Sequence, residues 1–421
     1  MTRRRMIGVG AVVVAVAVGF SLVFAQGSPA PPRTAGASGD PGVSDAPGVS
    51  GDSANPTTTP TSSAPARPTV RPDPGHEVFG FVPYWEMNDG IAEHLRRTPL
   101  TTLALFSVTN TKTGKIDTSQ TGYRRITGPI GKQLIREAHD RGVAVQIAYT
   151  SFGSARNGRF FASEAVQAAT IDGLVALAAK TGVDGINVDI ELLPVDLLPA
   201  YSAFVTRLRD ALRAKLPDAQ ISAATGARER GAAMAQAAAT AGADRIFMMA
   251  YDYHYGASDV GASSPMDRRD GAAQDLVWSL DLYEALGVPV ERTILGLPLY
   301  GMRWRVSGPE IGAPRLGDGV DWVPGDNPNF LARPPKPPQL DPIEIVEFYA
   351  VPPTISAKPG DSRAAAGWQA IYVDSPRTLA PKLRLADERG LAGAGFWAIG
   401  YERGLPAYTA LIKRFAAGKL Q

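Results

Sequence analysis

Cysteine is absent from all 421 residues. That absence excludes disulfide staples, thiolate metal sites, a lipid-modified cysteine and a cysteine nucleophile. Histidine is scarce. His76, His94, His139 and His254 are scattered without ligand spacing, so no metal centre is expected. Net charge is also missing: 43 basic residues face 41 acidic ones. Six of the basic and four of the acidic residues fall in the first 75 positions, leaving 37 of each downstream. A folded part without net charge has no electrostatic footprint for a phosphate backbone, so nucleic acid is not an expected partner. A glycine-rich phosphate turn is lacking after the first β-rich run, where Pro83-Tyr84-Trp85 stands instead. This counts against the runner-up architecture, a doubly wound open sheet.

The chain opens with Arg3, Arg4 and Arg5 ahead of an uncharged apolar run from Met6 to Ala25. A basic flank followed by such a run is an export signal. Its length is close to the roughly 20 residues that span a bilayer, while Val23-Phe24-Ala25 is similar to a small-residue cleavage site. Residues 1–25 are therefore read as a cleaved signal or a retained anchor, and the arginines place the remainder outside the cytoplasmic membrane in either case. Membrane contact is expected only through this segment. From Gln26 to Gly75 the chain is Pro, Gly, Ser, Thr, Ala and Asp with almost no large apolar residue. Such a stretch cannot bury enough surface to offset its ordering entropy and is expected to be a disordered linker.

Residues 76–418 read as the folded unit, expected to be monomeric. An amphipathic helix, a Gly or Pro stop and a short β-rich run recur along it. The joints are Arg141-Gly142, Thr181-Gly182, Leu216-Pro217, Ala241-Gly242, Leu286-Gly287 and Arg389-Gly390. One helix shows its period plainly, with Tyr201, Phe204, Val205, Leu208 and Leu212 on a single stripe. Six runs follow these joints. The runs near Phe79 and Leu103 bring the count to eight strands, which predicts an α/β fold, a (β/α)8 TIM barrel. The Pro- and Gly-rich stretch from Val306 to Gln369 reads as a small insertion between strands seven and eight, with β-like pieces at Ile343 to Tyr349 and Trp368 to Val373.

The chain is organised around Asp184-Gly185-Ile186-Asn187-Val188-Asp189-Ile190-Glu191. On a strand, Ile186, Val188 and Ile190 point one way, while Asn187, Asp189 and Glu191 point the other. A face carrying an amide and two carboxylates must look into a site, because buried unpaired charge costs several kcal/mol. Asp189 and Glu191 are about 6 to 7 Å apart along one face, close enough for like charge to raise one pKa. In TIM barrels the chemistry sits at the C-terminal strand ends. Those ends here carry Tyr84, Trp85, Ser107, Ser151, Asp189, Glu191, Tyr251, Asp252, Tyr300, Arg303 and Trp397. Aromatic faces stack on sugar rings and carboxylates take hydroxyls, so a carbohydrate is the expected ligand.

The run DGINVDIE resembles the DGxDxDxE signature of glycoside hydrolase family 18, the chitinase-like TIM barrels. MMAYDYH at Met248 to His254 resembles that family's sixth-strand motif, GLPLYGMRW its seventh strand, and GAGFWAIGYE its eighth with a floor tryptophan, Trp397. Two positions differ from the pattern. Asn187 replaces the middle Asp, a form similar to the chitobiase and bacterial spore-peptidoglycan-hydrolase branches, and the SxGG motif reads Ser151-Phe152-Gly153-Ser154. The resemblance implies an N-acetylglucosamine-containing polysaccharide as substrate, chitin or peptidoglycan, and no cofactor. It implies Glu191 as the acid, Asp189 orienting the acetamido group, and Tyr251 with Asp252 holding that group. Asn187, Tyr84, Trp85, Tyr300, Arg303 and Trp397 are the remaining expected substrate-binding residues. Asn187 is also expected to donate its amide to Asp189 and favour its ionised form. A non-hydrolytic sugar-binding barrel is the alternative, although such relatives usually lose the final glutamate that this chain keeps.

Overall fold

The structure, a computed structural model, describes residues 76–353 and 367–420; the expected export segment and linker lie outside the described residues. Helices and strands alternate as β1 Glu77–Pro83, α1 Asp89–Arg97, β2 Thr102–Val108, α2 Thr121–Thr127, α3 Pro129–His139, β3 Ala144–Phe152, α4 Ser154–Phe161 and α5 Glu164–Thr181. They continue with β4 Gly185–Glu191, α6 Leu198–Lys215, β5 Gln220–Gly226, α7 Glu229–Thr240, β6 Arg245–Met249, α8 Leu276–Ala285 and β7 Thr293–Pro298. An inserted stretch supplies β8 Gly301–Val306, β9 Val320–Trp322, α9 Pro328–Ala332, β10 Gln339–Asp341, β11 Val346–Val351 and β12 Trp368–Val373. The chain then returns through α10 Pro376–Glu388, β13 Gly393–Trp397 and α11 Pro406–Ala416.

Strands β1 to β7 and β13 close into a parallel barrel in the order β1-β13-β7-β6-β5-β4-β3-β2, the (β/α)8 arrangement expected from the sequence. Its punctuation is chemical. Gly142, Gly182, Gly242, Gly287 and Gly390 each follow a helix with φ between 64 and 85°, a region that costs other residues energy and glycine almost none. At the opposite end of α5 the Ser163 hydroxyl accepts the Val166 N–H, a cap contributing about 1 kcal/mol.

Two apolar layers share the burial. Outside the barrel, the α6 stripe of Tyr201, Phe204, Val205, Leu208 and Leu212 is wholly buried against the strands, each such side chain contributing roughly 1.5–3 kcal/mol. Inside, Phe79, Phe81, Phe106, Phe247 and Ile294 fill the lumen. Phe247 lies so close to Gly296 and Gly395 that a Cβ at either position would collide with its ring.

The insertion is a five-stranded antiparallel sheet, ordered β10-β11-β12-β8-β9. It begins at Gly301 and ends at Val373, wider than the stretch 306–369 expected, because β8 pairs along its whole length with β12. The face of this sheet carrying Met302, Trp304, Phe348 and Tyr372 packs with Tyr251, Tyr300, Trp397 and Tyr401, so the insertion forms one wall of the barrel mouth.

Candidate active site

Strand β4 delivers Asp189 and Glu191 to the C-terminal end of the barrel, with Asp189 one step deeper: it is 4% exposed, and Glu191 is half-buried. Burial pushes Glu191 up to about 7, helped by the nearby Asp252 charge. Asp189 is pushed well above the usual carboxylate range, first by burial and then by Glu191. Asp189 Oδ1 is buried with no hydrogen-bond partner among the described residues. A buried acceptor without a donor is rare and points to a group that a ligand would supply.

The loop after β6 brings a third carboxylate. Asp252 adopts φ 60°, an uncommon conformation outside glycine that aims its side chain rather than continuing the strand. The Tyr300 hydroxyl donates to Asp252 Oδ1, and Ser263 Oγ accepts the Asp252 N–H at 3.0 Å. Although Asp252 is exposed at the rim, desolvation by the protein packed around its carboxyl raises it to about 6, the Tyr300 bond opposing the rise and Asp321 adding to it. The phenol of Tyr251 is pushed up by burial and by Asp189, Asp252 and Glu191 together, which keeps it protonated and a donor.

Aromatic rings make the floor. Trp397, at the end of β13, meets Phe106 at 4.8 Å, Phe81 at 5.7 Å and Trp85 at 6.3 Å between ring centroids. Trp85 is 47% exposed, and its indole N–H donates to the Tyr401 hydroxyl at 3.2 Å. Tyr401 stands edge-on to Tyr300, which in turn stands edge-on to Tyr251.

The structure brings Glu191, Asp189, Tyr251, Asp252, Tyr300, Trp85 and Trp397 to one mouth, and moves three expected residues away from it. Arg303 is exposed on β8, on the face opposite Met302 and Trp304, and so points away from the site wall. Tyr84 packs on the outer core between barrel and helices and reaches the site through its 4.9 Å contact with the Trp85 ring. Asn187 is fully buried below the site. Its Nδ2 donates to Ser222 Oγ at 2.7 Å, and Ser222 donates to Gln146 Oε1 at 2.5 Å. The expected Asn187 to Asp189 bond is thus replaced by a polar layer across β3, β4 and β5, and Asp189 is raised instead of being held ionised. Ser151 also faces outward, its β4 register partner being Ile190 rather than Asp189. Phe106, Ser263, Tyr401 and Asp321 belong to the mouth although the sequence did not single them out. Tyr401 lies within the eighth-strand motif, whereas Ser263 sits in a loop with no pattern to mark it.

Asn187→Asp is therefore expected to cost stability. It exchanges a donor satisfied by Ser222 for a buried acid, a loss of about 1–3 kcal/mol at low pH. The loss should grow as pH rises, because ionising a buried carboxyl is disfavoured. Urea midpoints at pH 5 and pH 8 measure both parts. Midpoints equal to wild type at both values would remove the structural role of the polar layer.

A cleft of about 360 Å³ lined by Lys132, Arg136 and His139 lies between the ends of α3 and α5. It sits by the N-terminal ends of the strands and carries none of these groups, so the chemistry belongs to the mouth.

A closed parallel barrel with acids and aromatic rings at its C-terminal mouth is a fold and site arrangement of enzymes. The sequence profile of the glycosyl hydrolases family 18 matches residues 78–402, and the chain belongs to that family. Over 167 residues the chain is 29% identical to Nod factor hydrolase protein 1 of Medicago truncatula, a match covering 38% of this chain and 39% of that protein. The fold is similar to that of the Bacillus cereus spore cortex-lytic enzyme SleL, with TM-score 0.63, 16% identity, and 81% of this chain and 74% of that one covered. It is also similar to the family 18 chitinase of Cycas revoluta in complex with (GlcNAc)3, with TM-score 0.65, 19% identity, and 82% and 100% covered. The class V chitinase of Nicotiana tobaccum aligns with TM-score 0.68, 15% identity, and 81% and 99% covered.

Proposed function

We propose that the chain is a retaining glycosidase that hydrolyses β-1,4 linkages of N-acetylglucosamine-containing glycans, chitin, chito-oligosaccharides or peptidoglycan, with the substrate's own N-acetyl carbonyl as nucleophile. The observation that carries this reading is Asp189: a buried carboxylate oxygen without a donor, beside a glutamate raised to about 7. An acetamido N–H is the donor such an oxygen lacks. Glu191, protonated below about pH 7, gives its proton to the glycosidic oxygen as the bond to the anomeric carbon breaks. The acetamido carbonyl oxygen closes on that carbon from the other face. Asp189 accepts the N–H and balances the positive charge of the resulting oxazolinium ion, while Tyr251 and the Asp252–Tyr300 pair hold the group from the side. Ionised Glu191 then takes a proton from water as the water opens the ring, so the anomeric configuration is retained. The Trp397 floor takes the apolar face of the sugar.

The family match, a chitinase solved with (GlcNAc)3 and a spore cortex-lytic enzyme among its structural neighbours support this substrate class. Incubating the chain with chito-oligomers and with purified peptidoglycan, with product masses and the first-formed anomer read by NMR, tests it. Release of the β-anomer from either glycan is the expected result. Tight binding without cleavage of either would support a sugar-binding protein instead. We further propose that the barrel works outside the cytoplasmic membrane, from the export segment at residues 1–25. Fractionation that finds the mature protein in the cytosol would contradict this.

A further inference from the structure

The main chain beneath Glu191 is held from one side only by its sheet. Strand β4 pairs with β3 as far as Glu191, opposite Phe152, but with β5 only as far as Asp189, opposite Ala224. The Glu191 carbonyl is caught by the start of α4: the Gly153 N–H donates to it at 3.2 Å and Asn157 Nδ2 at 2.6 Å. One residue on, the Leu192 carbonyl takes the Ser154 hydroxyl at 2.8 Å, where Leu192 turns the chain with φ 57°.

Asn157 is fully buried, and its orientation is dictated by neighbours. Arg156 Nε donates to Ser151 Oγ at 3.1 Å, and Ser151 Oγ donates to Asn157 Oδ1 at 2.7 Å. With its oxygen so engaged, the amide has only its NH2 to present to Glu191. Arg156 is itself fixed to the loop after β2, through Thr109 Oγ1 at 2.8 Å, the Asn110 carbonyl at 2.8 Å and Asn110 Oδ1 at 2.9 Å. This gives Ser151 a purpose on the outer face of β3, where it cannot touch a ligand.

We propose that Asn157 is a positioning residue for Glu191: its amide, oriented by Ser151 and Arg156, fixes the end of β4 and so sets where the Glu191 carboxyl meets the glycosidic oxygen. The activity part of this proposal rests on the hydrolase reading above. Proton transfer is sensitive to displacements near 1 Å, which cost on the order of 10²-fold in rate. Asn157→Ala removes the amide. Asn157→Asp keeps its shape and the bond from Ser151 but turns a donor into an acceptor facing a carbonyl. Both are expected to lower kcat about 10²-fold with KM within roughly threefold, since Asp252, Tyr300 and Trp397 are untouched. Ser151→Ala, which frees the amide to turn, gives a smaller loss, and Ser151→Thr, which keeps the hydroxyl, restores the rate.

A second readout needs no substrate. The ¹³C carboxyl resonance of Glu191 in the full chain, assigned by its absence in Glu191→Gln, is expected to titrate at about 7 in wild type. A carboxyl loosened toward water titrates lower, so the midpoint is expected to fall by about one unit in the Asn157 variants. Folded Asn157 variants with wild-type kcat and an unmoved midpoint overturn the proposal. So does a loss shared between kcat and KM with the midpoint unmoved, which is the mark of a general structural role. If the Asn157 variants do not fold, the Ser151→Ala and Ser151→Thr pair decides by the same two readouts. If wild type cleaves no offered glycan, the hydrolase reading falls, and the midpoint alone still decides whether Asn157 places Glu191.

Discussion

Glu191→Gln is expected to lower kcat on a chito-oligomer by on the order of 10³-fold while leaving oligomer binding close to wild type, because the amide keeps the shape of the carboxyl and loses its proton. The same substitution is expected to make the protein more stable at high pH. Glu191 ordinarily titrates at 4.5, and burial with the Asp252 charge raises it to about 7 in the fold. A carboxyl raised in this way contributes stability that is fully present below 4.5 and is lost as pH rises through about 7. Above that pH wild type holds an unfavourable buried charge that the glutamine lacks, a difference of no more than about 3 kcal/mol. Melting temperatures should therefore be equal at pH 4 and higher for Glu191→Gln at pH 8. The activity of wild type should fall over the same interval, since its acid is then ionised. Activity within tenfold of wild type, or equal melting temperatures at pH 8, would separate this glutamate from the role given to it.

Much of this was legible in the sequence because it rests on local rules. The glycines that stop helices, the α6 stripe and the alternation of DGINVDIE are set by φ preferences and by periods of 3.6 and 2, which need no knowledge of the partner elements. Alternation, however, gives the face of a residue and not its depth. Asn187, Asp189 and Glu191 share one face of β4, yet the first is sealed in a polar layer, the second is buried beneath the mouth and the third is half-open to solvent. The run GLPLYGMRW hides a change of sheet. Barrel strand β7 ends at Pro298 and β8 of the insertion begins at Gly301, so taking the whole run as one strand end places Arg303 beside Tyr300 at the mouth, whereas Arg303 belongs to the far face of another sheet. Ser263 and Asn157 hold the main chain of Asp252 and Glu191 through pairings 11 and 34 residues apart, which no periodicity encodes.

Chito-oligomers are expected to be cleaved with kcat/KM on the order of 10⁴-fold above that of cello-oligomers of equal length, the kind of ratio reached when a site built to hydrogen-bond a substrate group meets an analogue lacking it. The reason lies in what the three carboxylates can do. A retaining enzyme with its own nucleophile needs an ionised carboxylate about 5–5.5 Å from the acid and open to the anomeric carbon. Asp252 is near the acid but is engaged by the Tyr300 phenol and the Ser263 hydroxyl. Asp189 is buried more deeply than Glu191, and burial together with the Glu191 charge disfavours its ionised form. The unmet need is at Asp189 Oδ1, an acceptor that an acetamido N–H would satisfy. On the reading proposed above, the nucleophile is the substrate's own N-acetyl carbonyl. Replacing N-acetyl by N-trifluoroacetyl at the cleaved position makes the carbonyl oxygen a poorer nucleophile and leaves the N–H in place, so this oligomer should bind and turn over slowly. Steady-state rates on the three oligomers give the answer: a cello-oligomer cleaved within tenfold of the chito-oligomer, or a trifluoroacetyl analogue turned over at the same rate, would require a protein nucleophile and end the substrate-assisted reading.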